Sequence, residues 1–199
     1  MRDELQNLEV ALLKAEHPLA YSWMRPPGRP ETETRAAALS LLGCELPEEL
    51  LQLWEWWHGT SANGASLWPR EAYSSMPSGG AALPGGVAIE SLEYAVETMQ
   101  WRRASGLYPT GGAAWLPVIR LGDTPLWLWA ELDNVNSKGE VPLTYTEGGI
   151  EPVEHRFSSV RELIVEMTEL LDSGEWSFHT AHDAWGYNGD GAFSWGAGR

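Results

Sequence analysis

The chain is expected to be an α+β protein, a mostly antiparallel sheet of about four to six strands with helices packed against it. Three observations predict this class. Apolar residues recur at helical spacing up to about Arg103, the period changes from 3.6 to 2 between Trp115 and Phe157, and an amphipathic helical segment follows from Ser159. Successive strands joined by short turn signals predict an antiparallel meander.

The first helix is predicted over Met1 to His17, with Leu5, Leu8 and Leu12 on one side and Pro18 closing it. Met24 to Pro30, with three prolines and a glycine, reads as an irregular connection. A second helix is expected over Thr32 to Leu42, with Ala37, Leu41 and Leu42 on its inner side. In the third, Pro47 suits the first helical position because its missing N–H would be unpaired there anyway. Glu48 and Glu49 follow in the turn where the helix dipole favours negative charge. Leu50, Trp54 and Trp57 recur at i, i+4 and i+7, and Gly59 marks a left-handed cap. Gly59 to Gly86 reads as a long loop with a short strand near Ser66 to Trp68. Loops of that length in a domain are usually functional or disordered.

Val87 to Ile89 reads as a short strand before a helix from Ser91 to about Arg103, with Leu92, Ala95, Val96 and Met99 on one stripe. Leu116, Val118 and Arg120 then alternate with Trp115, Pro117 and Ile119. Leu126, Leu128, Ala130 and Leu132 alternate with Trp127, Trp129 and Glu131. After a polar loop, Val141, Leu143 and Tyr145 form a further strand, and a last one is expected around Val153 to Phe157. Ser159 and Glu162 make a capping-box pattern ahead of Val160, Leu163, Ile164, Met167, Leu170 and Leu171. The division expected is residues 1–30 as an N-terminal helix and Pro-rich connection, 31–176 as the main domain, and 177–199 as an irregular Trp- and Gly-rich tail.

The length of 199 residues fits one domain with appendages. Cys44 is the single cysteine, which excludes an intramolecular disulfide and asks for no oxidising compartment. The acids scattered through the first segment do not suit a signal peptide, and no uncharged apolar run reaches about 18 residues, so a soluble, cytoplasmic chain is expected. The 28 acidic and 13 basic side chains leave a formal charge of −15. Such a field disfavours nucleic acid and anionic membrane and steers a basic partner toward the surface. Glu131 to Glu175 holds eleven acids against three bases. The acids in its strand-connecting loops are harder to explain than a solvated helix face.

Candidates for chemistry are few. His179, His182 and Asp183 have the residue types of a divalent-metal site, without a predicted helix or a further ligand to support them. Cys44 lies among acids, a setting for a structural thiol rather than a nucleophile. His58 reads as a helix-end cap. No phosphate loop or nucleophile elbow is present, so neither a cofactor nor catalysis is expected.

Leu46-Pro47-Glu48-Glu49-Leu50 through Trp54 and Trp57-His58-Gly59 resembles the "LPxxL…Y…NG" helix of the SMI1/KNR4 family, also called the SUKH superfamily. Val87-Ala88-Ile89 with its following helix, Trp115-Leu116-Pro117-Val118, Gly122-Asp123, Gly139-Glu140-Val141, and Phe157 to Leu163 are similar to that family's later segments, in its order. His58 replaces the family's Asn or Asp, and Pro142 stands where an aromatic is usual. The resemblance implies the α+β SUKH-like fold and a non-enzymatic role. Bacterial members are largely immunity proteins that bind and neutralise toxin domains, often nucleases, and fungal members are regulatory scaffolds. The partner expected is thus a cognate toxin or another basic protein, met by the loop acids Asp133, Glu140 and Glu147 with Trp127 and Trp129 as exposed aromatic anchors. A regulatory scaffold, a metal-dependent hydrolase using His179, His182 and Asp183, and a sugar-binding module are the alternatives.

Overall fold

Amphipathic stripes account for the helices. The computed structural model describes residues 1–15, 32–56, 83, 87–109, 114–121, 126–147, 151–179 and 184–188. Helix α1 spans Arg2–Lys14 and buries Leu5, Leu8 and Leu12. Helix α2, Thr32–Leu42, buries Leu42 as expected, but its other buried residue is Ala38 where Ala37 was expected, and Leu41 is only half-buried. Helix α3 is Glu48–Trp56 and starts directly after Pro47. Strand β1, Val87–Ile89, leads to α4, Leu92–Ala104, whose first turn is capped where Ser91 Oγ accepts the N–H of Tyr94.

Strands β2 (Trp115–Leu121), β3 (Leu126–Glu131), β4 (Leu143–Glu147) and β5 (Glu151–Phe157) follow. With β1 they form a five-stranded sheet in the order β1-β2-β3-β4-β5, every neighbouring pair antiparallel. The protein is therefore α+β, with an antiparallel meander as its sheet. Helix α5, Val160–Asp172, follows directly, and its predicted apolar stripe is buried in full. Ser159 Oγ accepts the N–H of Glu162, while Glu162 reaches back to Ser158 N at 2.6 Å.

Three expectations are corrected. The segment after α5 is not irregular throughout: β6, Trp176–His179, and β7, Ala184–Tyr187, pair as an antiparallel hairpin. The rings of Trp176 and Tyr187 lie opposite each other at 5.3 Å, a cross-strand aromatic pair of the kind that fixes short hairpins. The N-terminal helix is no appendage, because Leu5, Leu8 and Leu12 share one core with α3, α5 and the sheet. Strand β2 also does not alternate throughout. A bulge between Pro117 and Ile119 turns Ile119 into the core and sets Arg120 opposite Trp127 on the other face.

One face of the sheet, with Val87, Ile89, Leu116, Leu128, Ala130 and Leu143, packs into the main core with Leu163, Ile164 and Met167 of α5. The other face is buried too and carries Trp115, Trp127 and Trp129. Buried carboxylates beside it are bonded to neighbouring side chains. Glu90 is bonded to Arg120 at 3.0 Å, and Glu131 accepts from Thr144 Oγ1 and from Asn134 Nδ2. Among the described residues no helix is long and apolar enough to cross a membrane. The loop read between Gly59 and Gly86, with its strand near Ser66, lies outside the described residues except for Leu83.

Candidate functional site

The loop joining β3 to β4 holds two of the acids singled out in the sequence. It opens with a 3-10 turn, Leu132–Asn134, and closes on a tight turn organised by Asn136. Asn136 Oδ1 accepts the N–H groups of Lys138 and Glu140 at 2.9 and 3.1 Å, and its Nδ2 donates to Glu140 Oε2 at 2.8 Å. Gly139 sits at φ +78°, a left-handed conformation that a side chain would strain. Glu140 is thus held in place through both backbone and carboxylate. Asp133 is exposed and accepts the indole N–H of Trp115 at 3.1 Å, which ties the start of the loop to β2.

Glu140 borders a cleft of about 520 Å³ between this loop, the start of α3 and the first turn of α5. Glu45, Glu48, Glu49 and Glu140 line it, with Lys138 and Arg161 as the basic side chains. Glu49 differs from the other acids in being only 8% exposed. Its Oε2 accepts the N–H of Val141 and its Oε1 the N–H of Arg161, both at 2.8 Å. Burial pushes its pKa up, the two backbone N–H bonds pull it down, and neighbouring Glu140 adds to the rise. Glu48 stays at the helix start as expected, but Glu49 turns inward and joins three elements.

Glu147 is not part of this group. It ends β4, which carries it about 13 Å from Leu143 at roughly 3.3 Å per residue, toward the opposite end of the sheet. Its side chain lies outside the described residues. Trp127 and Trp129 do not serve as exposed anchors, being 3% and 0% exposed. Tyr94 packs on Trp127 at 5.9 Å, Tyr108 meets Trp129 edge-on at 5.7 Å, and the Arg102 guanidinium lies over the Trp129 ring. Trp129 Nε1 donates to Thr146 Oγ1 at 3.0 Å, so its polar handle is satisfied inside. The reason is that the sheet is covered on both faces.

The exposed tryptophan among the described residues is Trp101 on α4, at 58%. It lies off the buried stripe of Leu92, Ala95, Val96 and Met99, so periodicity could have found it. Exposed Glu97 stands one helical turn before it.

Among the described residues no group of three His, Cys, Asp or Glu side chains is arranged to hold a metal ion. The His179 side chain, His182 and Asp183 lie outside the described residues, as does His58. Cys44 is half-buried; burial pushes its pKa up and the charge of Asp133 adds to the rise, which opposes thiolate formation. In comparisons with known proteins, no family model matches the chain and no curated protein matches it.

Proposed function

We propose that the chain is a non-enzymatic protein-binding module of the immunity type, which binds a basic, nuclease-like toxin and covers its active site. The observation that carries this reading is the acid-lined cleft beside Glu140, which sets Glu45, Glu48 and Glu140 around one opening. A lysine or arginine of a nucleic-acid-binding surface fits that charge, and the net −15 of the chain steers such a surface toward it. Exposed Trp101 takes the role of aromatic anchor in place of Trp127 and Trp129. The resemblance of Leu46 to Gly59 and the later segments to the SMI1/KNR4 family supports the same role.

The test uses the purified chain and a toxin domain encoded beside it. Reversing Glu48 and Glu140 to Lys together should slow association severalfold at low salt and less at physiological salt. Association rates unchanged at both salt levels would remove the cleft from the contact. A regulatory scaffold without a toxin is the next reading if no such neighbour exists.

A further inference from the structure

Helices α1 and α5 lie side by side and run in the same direction. Glu4 meets Arg161 at 3.3 Å near their starts, and Lys14 meets Asp172 at 2.9 Å at their ends. Between these pairs lies a groove of about 280 Å³ lined by Glu4, Asn7, Val165, Thr168, Glu169 and Asp172. Val165 is 38% exposed there. Val10, 45% exposed, lies three residues after Asn7 and four before Lys14, so it continues the stripe of α1 that borders the groove. The inward stripes of both helices are already complete without these valines.

Arg161 and Lys14 are engaged with Glu4 and Asp172, so among the described residues that line the groove Glu169 adds a surplus negative charge. Resting on the reading of the chain as a protein-binding module, we infer that this groove docks a short amphipathic segment of a protein partner. That segment sets aliphatic side chains against Val165 and Val10 and a lysine or arginine beside Glu169. A second copy of this chain would bring acid against acid, and an anionic membrane would be repelled. A basic amphipathic helix supplies both the aliphatic side chains and the positive charge that this groove calls for.

The probe is a synthetic helical peptide of leucine and lysine, its leucines at i, i+3, i+4 and i+7, titrated against the full chain by fluorescence anisotropy. Val165→Asp should weaken binding about tenfold, equivalent to losing one good apolar contact. General attraction to an acidic protein predicts the opposite, because that substitution adds a negative charge. Val165→Thr, nearly isosteric and uncharged, should weaken binding about threefold and guards against a fold defect in the first variant. The groove is overturned if Val165→Asp binds as well as wild type or better. It is also overturned if the peptide binds equally with glutamates in place of lysines, or if wild type self-associates through a contact that Val165→Asp abolishes. None of these outcomes bears on the cleft beside Glu140, whose own test is the reversal of Glu48 and Glu140.

Discussion

The Glu49 carboxylate, in the first turn of α3, accepts the backbone N–H of Arg161, in the first turn of α5, at 2.8 Å. The first N–H groups of any helix lack partners within it, and here a side chain from a distant element supplies one. The other carboxylate oxygen holds Val141 N on the approach to β4. One buried acid therefore joins α3, α5 and the loop that carries Glu140. Glu49→Ala should cost about 2–5 kcal/mol, since two N–H groups lose their acceptor. A shift of the denaturation midpoint at constant slope measures it. A change below about 0.5 kcal/mol would mean that water replaces the carboxylate at both N–H groups.

The same residue gives a pH dependence of defined sign. Burial raises the pKa of Glu49 in the folded chain above its ordinary value of 4.5. The folded state then binds the proton more tightly than the unfolded state. The contribution of Glu49 to stability is complete below 4.5 and is lost as pH rises through the higher folded value. Wild type should therefore gain stability relative to Glu49→Gln on acidification from neutral pH toward 4.5. A difference that stays flat would show that the bonds from Val141 and Arg161 cancel the cost of burial.

Leu163 is fully buried in the main core, on the inward stripe of α5. Leu163→Ala should cost about 2–5 kcal/mol, combining lost apolar transfer with the cavity left behind. An unmoved denaturation midpoint would contradict the packing of α5 against the sheet.

The tryptophans divide by burial, and stability and binding should divide with them. Trp129→Ala should cost about 3–5 kcal/mol, because the ring fills the second sheet face and its indole N–H is bonded to Thr146. Trp101→Ala should stay within about 0.5 kcal/mol of wild type, as a surface substitution does. If Trp101 anchors a partner, its loss nevertheless weakens binding, and thermal melts set beside affinities separate the two effects.

Much of this fold was legible because the dominant signal is the burial of one stripe or one strand face. The stripe from Val160 to Leu171 and the Ser159 cap place α5 within a residue of where it lies. What escaped involves long-range neighbours. Leu126 to Glu131 is rich in apolar residues on both faces, the mark of a strand covered on both sides, yet alternation alone does not say what covers Trp127 and Trp129. The bulge near Val118 has no glycine to announce it. Only pairing with β3 reveals that Ile119, not Arg120, joins the core. Glu49 reads locally as a partner of the helix dipole, and its bonds to Val141 and Arg161 reach across 92 and 112 residues of sequence. Trp176 to His179 is too short for its alternation to stand out without β7 beside it.

Distance should separate Glu140 from Glu147 in the encounter with a basic partner. Glu140 borders the cleft with Glu48, whereas Glu147 ends β4 toward the opposite end of the sheet. Charges act over roughly one Debye length, about 8 Å at physiological ionic strength and about 30 Å at ~0.01 M. A partner docked at the cleft should therefore sense both acids in dilute salt but only Glu140 in physiological salt. Glu140→Lys should slow association under both conditions. Glu147→Lys should slow it in dilute salt alone. Dissociation rates should change little for either, because a rim charge mainly governs the encounter. Stopped-flow association at the two ionic strengths makes the comparison. Stronger slowing by Glu147→Lys than by Glu140→Lys in physiological salt would place the contact nearer the end of β4 than the cleft, and Glu147 would then replace Glu140 at its centre.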